Sequence, residues 1–233
     1  MPNISYISLG EGETILFLHG WGQNKEMMEP LIDELKHKYR CVILDLPGFG
    51  KSSFNNTKTI DSYLEDIRLF LVQKNILPKY IVGHSFGGKL ATLYYLKYKD
   101  LLGLVIIASP LLKPKRTLKY YYKIYAHKIK KKLKIKNNGG STDYKNCPSQ
   151  IRPLFINVVN THFDKKINNI TIPTLLIWGD KDEQVPLNKA KKINKKMVNS
   201  ELCIEKGGHF AYLDNIQFTR LIIQQFLRRN NGD

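Results

Sequence analysis

The stretch from Tyr80 to Leu96 constrains the fold of this chain more than any other. An apolar run, Tyr80-Ile81-Val82, leads into Gly83-His84-Ser85-Phe86-Gly87-Gly88. A helix-compatible segment follows at once, Lys89-Leu90-Ala91-Thr92-Leu93-Tyr94-Tyr95-Leu96. The spacing is G-x-S-x-G. It predicts a serine on a sharp strand-to-helix turn, where neighbouring backbones pass so closely that only glycine fits on either side. The N-terminus of the following helix aims free N–H groups and the positive end of its dipole at that site. A glycine-rich turn with an ordinary serine has the same spelling, so the rest of the chain must decide between them.

Short apolar runs recur along the sequence and alternate with amphipathic segments. Strand-like runs are Ile4 to Leu9, Thr14 to Leu18, Cys41 to Leu44, Tyr80 to Val82, Leu101 to Ala108, Thr174 to Trp178 and Glu201 to Glu205. From the second onward they are mostly continuous in apolar residues, as in strands covered on both faces of a parallel sheet. Helix-like segments run roughly over Asn24 to Lys38, Ile60 to Lys74, Phe86 to Tyr98, Leu187 to Met197 and Asn215 to Arg229. The order predicts an α/β fold with an open, mainly parallel, doubly wound sheet, helices on both faces and right-handed crossovers. In such sheets the functional crevice lies at the carboxyl ends of the strands, and Ser85 directly follows one of them.

Residues 111–170 break the alternation. A basic, tyrosine-rich stretch is interrupted by Asn137-Asn138-Gly139-Gly140-Ser141, and Cys147-Pro148 opens another helix-like segment through Val159. We expect a small helical cap over residues 111–170, inserted into a core made of 1–110 and 171–233.

A chain of 233 residues, 42% hydrophobic, is long enough for one substantial core with such an insertion. It has no apolar segment of the ~18–20 residues that a membrane span needs. The first residues, Met1 to Tyr6, lack a basic region followed by an apolar stretch, so no secretory signal is expected. Cys41, Cys147 and Cys203 are odd in number and scattered without C-x-x-C spacing. They read as small buried residues of a reduced compartment, with a cytoplasmic location as the expectation.

A serine hydroxyl is a weak nucleophile at neutral pH, so a general base must take its proton. Histidine suits that role, and an acid is then needed to fix its tautomer and stabilise the imidazolium. On this kind of turn the chain order is serine, acid, histidine. The sequence supplies it at two later strand ends: Asp180-Lys181-Asp182-Glu183 follows Leu175 to Gly179, and Lys206-Gly207-Gly208-His209 follows Leu202 to Glu205. Asp180, Asp182 and Glu183 all share the acid loop.

Together with Leu18-His19-Gly20-Trp21-Gly22 and Asp45-Leu46-Pro47-Gly48-Phe49-Gly50, these motifs resemble the α/β-hydrolase fold family over almost the whole chain outside the cap. The resemblance implies Ser85 as nucleophile, His209 as base and Asp182 as acid, since the family's acid stands three residues after the strand-end glycine. It implies an oxyanion hole made by the backbone N–H groups of Phe86 and Trp21. Asp180 is then a turn-capping carboxylate, and His19 and His84 are structural. His37, His127 and His162 lie in helix-like segments as surface or core residues. Relatives that open epoxides or remove halogens carry aspartate at the turn; serine points to acyl transfer. The chain has room for one strand before Thr14 where the family has two, so a shortened sheet edge is expected.

Other signals carry less. Asp45 to Ser52 ends like a phosphate-binding loop but has aspartate where the first glycine must stand, and Gly48-x-Gly50 lacks the third glycine of a dinucleotide fingerprint. Metal-ligand spacings are missing, so neither cofactor nor metal is expected. From Leu112 to Thr142 there is no acidic residue, while Lys113 to Lys136 accumulate with Tyr120, Tyr121, Tyr122 and Tyr125 between them. Leu118, Tyr121, Tyr122, Tyr125 and Ile129 fall near helical spacing. Against a net charge of +17 spread through a lysine-rich chain, this reads first as a solvated basic face. Attraction of an anionic substrate or of a membrane surface ranks second, and nucleic acid, without any recognised motif, ranks last. The expected partner is a small-molecule, ester-like substrate. The functions that follow are a serine hydrolase working through an acyl-enzyme or, alternatively, a small-ligand sensor that uses the same crevice with slow or no turnover.

Overall fold

The computed structural model describes residues 2–114 and 142–231. The basic, tyrosine-rich part of the anticipated cap, together with His127, lies outside the described residues. The strands are β1 (Tyr6–Leu9), β2 (Thr14–Leu18), β3 (Arg40–Leu44), β4 (Pro78–His84), β5 (Gly103–Ile107), β6 (Thr174–Gly179) and β7 (Ser200–Glu205). Within the described residues they form one sheet in the order β1-β3-β2-β4-β5-β6-β7. β1 pairs antiparallel with β3, and every other pairing is parallel. A single antiparallel strand thus closes the N-terminal edge, as the short stretch before Thr14 requires.

The residues explain the layering. Every residue of β2, β5 and β6 is buried, so those strands need cover on both faces. That cover comes from α1 (Ile60–Gln73), α2 (Phe86–Tyr98), α5 (Leu187–Lys196) and α7 (Ile216–Asn230), and α3 (Thr142–Asn146), α4 (Arg152–Asn160) and the short α6 (Ala211–Asp214) complete the α-helices among the described residues. Thr59 starts α1 by accepting the N–H of Ser62 on its hydroxyl, and the helix buries Tyr63, Leu64, Ile67, Phe70 and Leu71 along one face. α2 is buried at every residue from Phe86 to Tyr95, as befits a helix wedged between the sheet and other elements.

Two expectations need correction. The segment 24–38 is no continuous helix; it forms three short 3-10 turns, Lys25–Met27, Glu29–Leu31 and Leu35–His37. Pro30 has no N–H to give an α-helical ladder and crowds the preceding turn. In addition, the Asp45 carboxylate takes both the backbone N–H and the ammonium of Lys25, each at 2.8 Å. The apolar spacing still serves burial, since Met28, Leu31, Ile32 and Leu35 are all in the core. Cys41 and Cys147 are buried as expected, but Cys203 is only half-buried, because β7 is an edge strand of the sheet.

Candidate active site

β4 ends at His84 and α2 begins at Phe86, so the whole reversal falls on Ser85, at φ 49° and ψ −105°. A side chain held in that region costs ~1–3 kcal/mol, which surrounding contacts must offset. Its N–H donates to Ile107 O at 2.8 Å, and the Ser109 hydroxyl donates to Ser85 O at 2.7 Å. The flanking glycines follow from crowding. A Cβ on Gly83 would stand 2.4 Å from Gly87 O, and one on Gly87 would stand 2.1 Å from Leu18 O.

The acid and histidine loops are tied to each other. Asp180 Oδ1 accepts the Gly207 N–H at 2.9 Å, and Lys181 N–H donates to Gly207 O at 2.9 Å. Asp182 Oδ1 accepts the N–H groups of Gln184 and Val185 at 2.9 and 2.8 Å, leaving Oδ2 for His209 Nδ1 at 2.8 Å. Asp182 is buried and Glu183 exposed, so of the three acids only Asp182 meets the histidine. Asp180, anticipated as a turn-capping carboxylate, accepts instead from the histidine loop.

The two motif histidines have defined work. Burial pushes His19 down to about 4 and His84 down to about 3, so both rings are neutral near pH 7. His19 Nε2 accepts the Leu46 N–H at 2.9 Å; its proton is therefore on Nδ1, which donates to Gly20 O at 2.7 Å. This ties the His-Gly loop to the loop after β3. His84 Nε2 lies 3.1 Å from His209 O, a carbonyl that can only accept, and its ring packs 4.9 Å from that of His209.

A cavity of about 360 Å³ opens at Ser85 and His209, and Trp21 and Phe86 also line it. Trp21 packs edge-on against Phe49, Phe86 and Phe155 with centroids 5.0, 5.3 and 5.0 Å apart, so its ring is both packing and wall. A second cavity, of about 410 Å³, lies across Trp21 and is lined by Gly22, Gln23, Gly48 and Cys147 among others. α4 lines the first through Phe155, Val158 and Val159.

The sequence reading missed four polar residues of this cavity. Lys89, Gln184 and Lys189 line it, and so does His162, which lies beyond the end of α4 and not within a helix. Lys89 was readable in principle: it follows Ser85 by four residues, and such residues share one helix face. His37 is exposed, as expected. The decoy loop after β3 keeps its own anion, since Lys51 N–H donates to Asp45 Oδ2 at 2.9 Å. Among the described residues no group of three His, Cys, Asp or Glu side chains could hold a metal ion, and no helix is long and apolar enough to cross a membrane.

Residues 13–131 match the family model of the alpha/beta hydrolase fold. A pimeloyl-[acyl-carrier protein] methyl ester esterase of Wigglesworthia glossinidia brevipalpis is 26% identical, over 96% of this chain and 97% of its own length. A 2-hydroxy-6-oxononadienedioate/2-hydroxy-6-oxononatrienedioate hydrolase of Escherichia coli (strain K12) is 24% identical, over 97% of this chain and 91% of its own. Among solved structures, an esterase from Exiguobacterium antarcticum superimposes with a TM-score of 0.76 at 21% identity, covering 97% of this chain and 96% of that one.

Proposed function

The chain belongs to the α/β-hydrolase fold family, and on that premise we propose that it is a serine hydrolase cleaving an ester-like bond of a small molecule. The observation that carries the reading is the Asp182 Oδ2 to His209 Nδ1 contact of 2.8 Å at the cavity into which Ser85 also opens. With Asp182 accepting at Nδ1, the His209 proton stays there and Nε2 is left to receive the Ser85 hydroxyl proton. Ser85 Oγ then attacks the carbonyl carbon, and the carbonyl electron pair moves onto oxygen. The N–H of Phe86, at the first position of α2, has no partner within its own helix and faces that charge together with the N–H of Trp21. A donor of this kind is worth ~3–4 kcal/mol of transition-state stabilisation. His209 returns its proton to the leaving group, and water, activated the same way, releases the acyl group from Ser85.

The relatives, a methyl ester esterase and a 2-hydroxy-6-oxononadienedioate/2-hydroxy-6-oxononatrienedioate hydrolase, support the reaction class, with carboxylic esters as our first choice of substrate. Residues 111–170 act as the cap in this scheme, a reading supported by the three α4 residues that line the cavity. The test is hydrolysis of short-chain chromogenic esters by the parent and by Ser85→Ala, beside labelling with a fluorophosphonate. Activity and labelling that vanish together in the variant support the assignment; undiminished activity in Ser85→Ala refutes it. Labelling of the parent without turnover of any ester would favour the ligand-sensing alternative.

A further inference from the structure

Nothing in that scheme uses Lys89, although it sits one helical turn from Ser85. A lysine is almost never fully buried unless paired, and Lys89 is only 2% exposed. Its place on α2 explains where it points: side chains four apart on a helix lie on one face, and they lean toward the helix N-terminus. Lys89 therefore reaches along the face that presents Ser85 and lines the same cavity. Its ammonium donates to Val158 O at 2.7 Å and Thr161 O at 2.8 Å. These carbonyls lie at the C-terminal end of α4, where Val158 O also accepts the capping N–H of Thr161 at 3.2 Å. Among the described residues no carboxylate forms an ion pair with it. Burial lowers its pKa to about 8, which still leaves it largely charged at neutral pH.

Tethering α4 accounts for two of the three ammonium protons but not for the choice of a cation, because an apolar residue would fill this buried site without the desolvation cost. The surroundings point to a ligand. His162 and Lys189, whose ammonium also donates to Lys113 O at 2.6 Å, line the cavity with Lys89, none of the described aspartates or glutamates does, and the adjoining wall from Phe155 and Val158 is apolar. His162 Nδ1 is buried without a protein hydrogen-bond partner among the described residues. An apolar slot that begins at Ser85 and passes a buried cation suits a chain with a negative end. Resting on the hydrolase reading, we propose that the preferred substrates are esters whose acyl chain carries a terminal carboxylate, received by Lys89 with His162 and Lys189. The acyl side is assigned because the apolar wall suits the portion that stays attached to Ser85 while the leaving group departs.

The experiment compares kcat/KM for monomethyl esters of dicarboxylic acids of increasing length with methyl esters of monocarboxylic acids of matched length, using the parent and Lys89→Met. The parent should prefer the carboxylate-bearing ester at one length by about tenfold or more, the usual value of a hydrogen-bonded charge. Lys89→Met should lose about tenfold more on that ester than on its neutral partner, mainly through KM. Absence of preference in the parent, or equal losses on both esters, would overturn the proposal and leave Lys89 as a tether of α4. Should Lys89→Met fail to fold, calorimetric binding to Ser85→Ala serves instead. Dicarboxylates should bind this variant about tenfold more tightly than monocarboxylates; equal binding overturns the subsite. Selective dicarboxylate binding beside a parent that hydrolyses no ester would overturn the hydrolase reading while leaving the subsite in place.

Discussion

Glu205 closes β7 one loop before His209, and it should give the fold a measurable pH dependence. Its carboxyl is only 3% exposed. Oε1 accepts the Thr219 hydroxyl at 2.6 Å, while Oε2 is buried without a protein partner among the described residues. Burial pushes the pKa from the ordinary 4.5 up to about 6; the Thr219 hydroxyl opposes this, and the charge of Asp214 adds to it. The folded state therefore holds the proton more tightly than the unfolded chain. The stability this confers is fully present below about 4.5 and is lost as pH rises through about 6. With 1.36 kcal/mol for each pH unit between those two values, the loss is about 2 kcal/mol. Glu205→Gln keeps an acceptor for Thr219 but cannot ionise. Urea unfolding of parent and variant at intervals from about pH 4 to 8 isolates the effect, because other titrations cancel in the difference. Whatever constant cost the amide carries, the variant should gain about 2 kcal/mol on the parent as pH rises across this window. A difference that stays flat, or runs the other way, would refute the reasoning.

Three further outcomes follow from the contacts. Gly87→Ala puts a methyl 2.1 Å from Leu18 O and should cost about 3 kcal/mol or more. Gly22→Ala, at φ +72° but with open space around it, should cost only about 1 kcal/mol, so thermal unfolding should rank the two clearly. Lys25→Met leaves the wholly buried Asp45 without its ammonium partner and should destabilise by about 3 kcal/mol in chemical denaturation. Asp182→Asn should lower kcat for esters by about a thousandfold or more with little change in KM, because the imidazole loses the acceptor that fixes its tautomer.

Much of this fold was legible because its signals are local. The stretches Ile15 to Leu18 and Leu175 to Trp178 are apolar throughout, and only a strand covered on both faces tolerates that. The turn at Ser85 was legible for a different reason: contacts as short as those of Gly83 and Gly87 exclude every other residue, so the geometry is spelled in the letters. The segment 24–38 failed because its apolar spacing is helical while its backbone is governed by Pro30 and by Asp45, and the latter contact is distant in sequence. Cys203 failed because strand composition does not reveal which strand ends at the edge of the sheet. Lys89 was passed over because charge in a lysine-rich chain reads as surface, and its burial depends on α4, which arrives from the cap segment.

The histidines make the same point at the level of chemistry. His19 and His209 follow a strand closely and His84 ends one, and each has a ring nitrogen near a carbonyl or carboxylate oxygen. Their partners separate them. His19 has both nitrogens committed to backbone groups, and burial keeps it neutral, so it can hold the loop of Trp21 but cannot take a proton at pH 7. His84 faces the carbonyl of His209 from a position so buried that its charged form is equally excluded. His209 alone of the three sets a ring nitrogen against a carboxylate, and a carboxylate is the partner that stabilises an imidazolium. The neutral rings are what allow this. A charge on His84, 4.9 Å from the His209 ring, would oppose protonation of the base in the proposed mechanism. Burial of His84 therefore contributes to catalysis in that scheme by keeping a neighbouring charge away, without touching substrate.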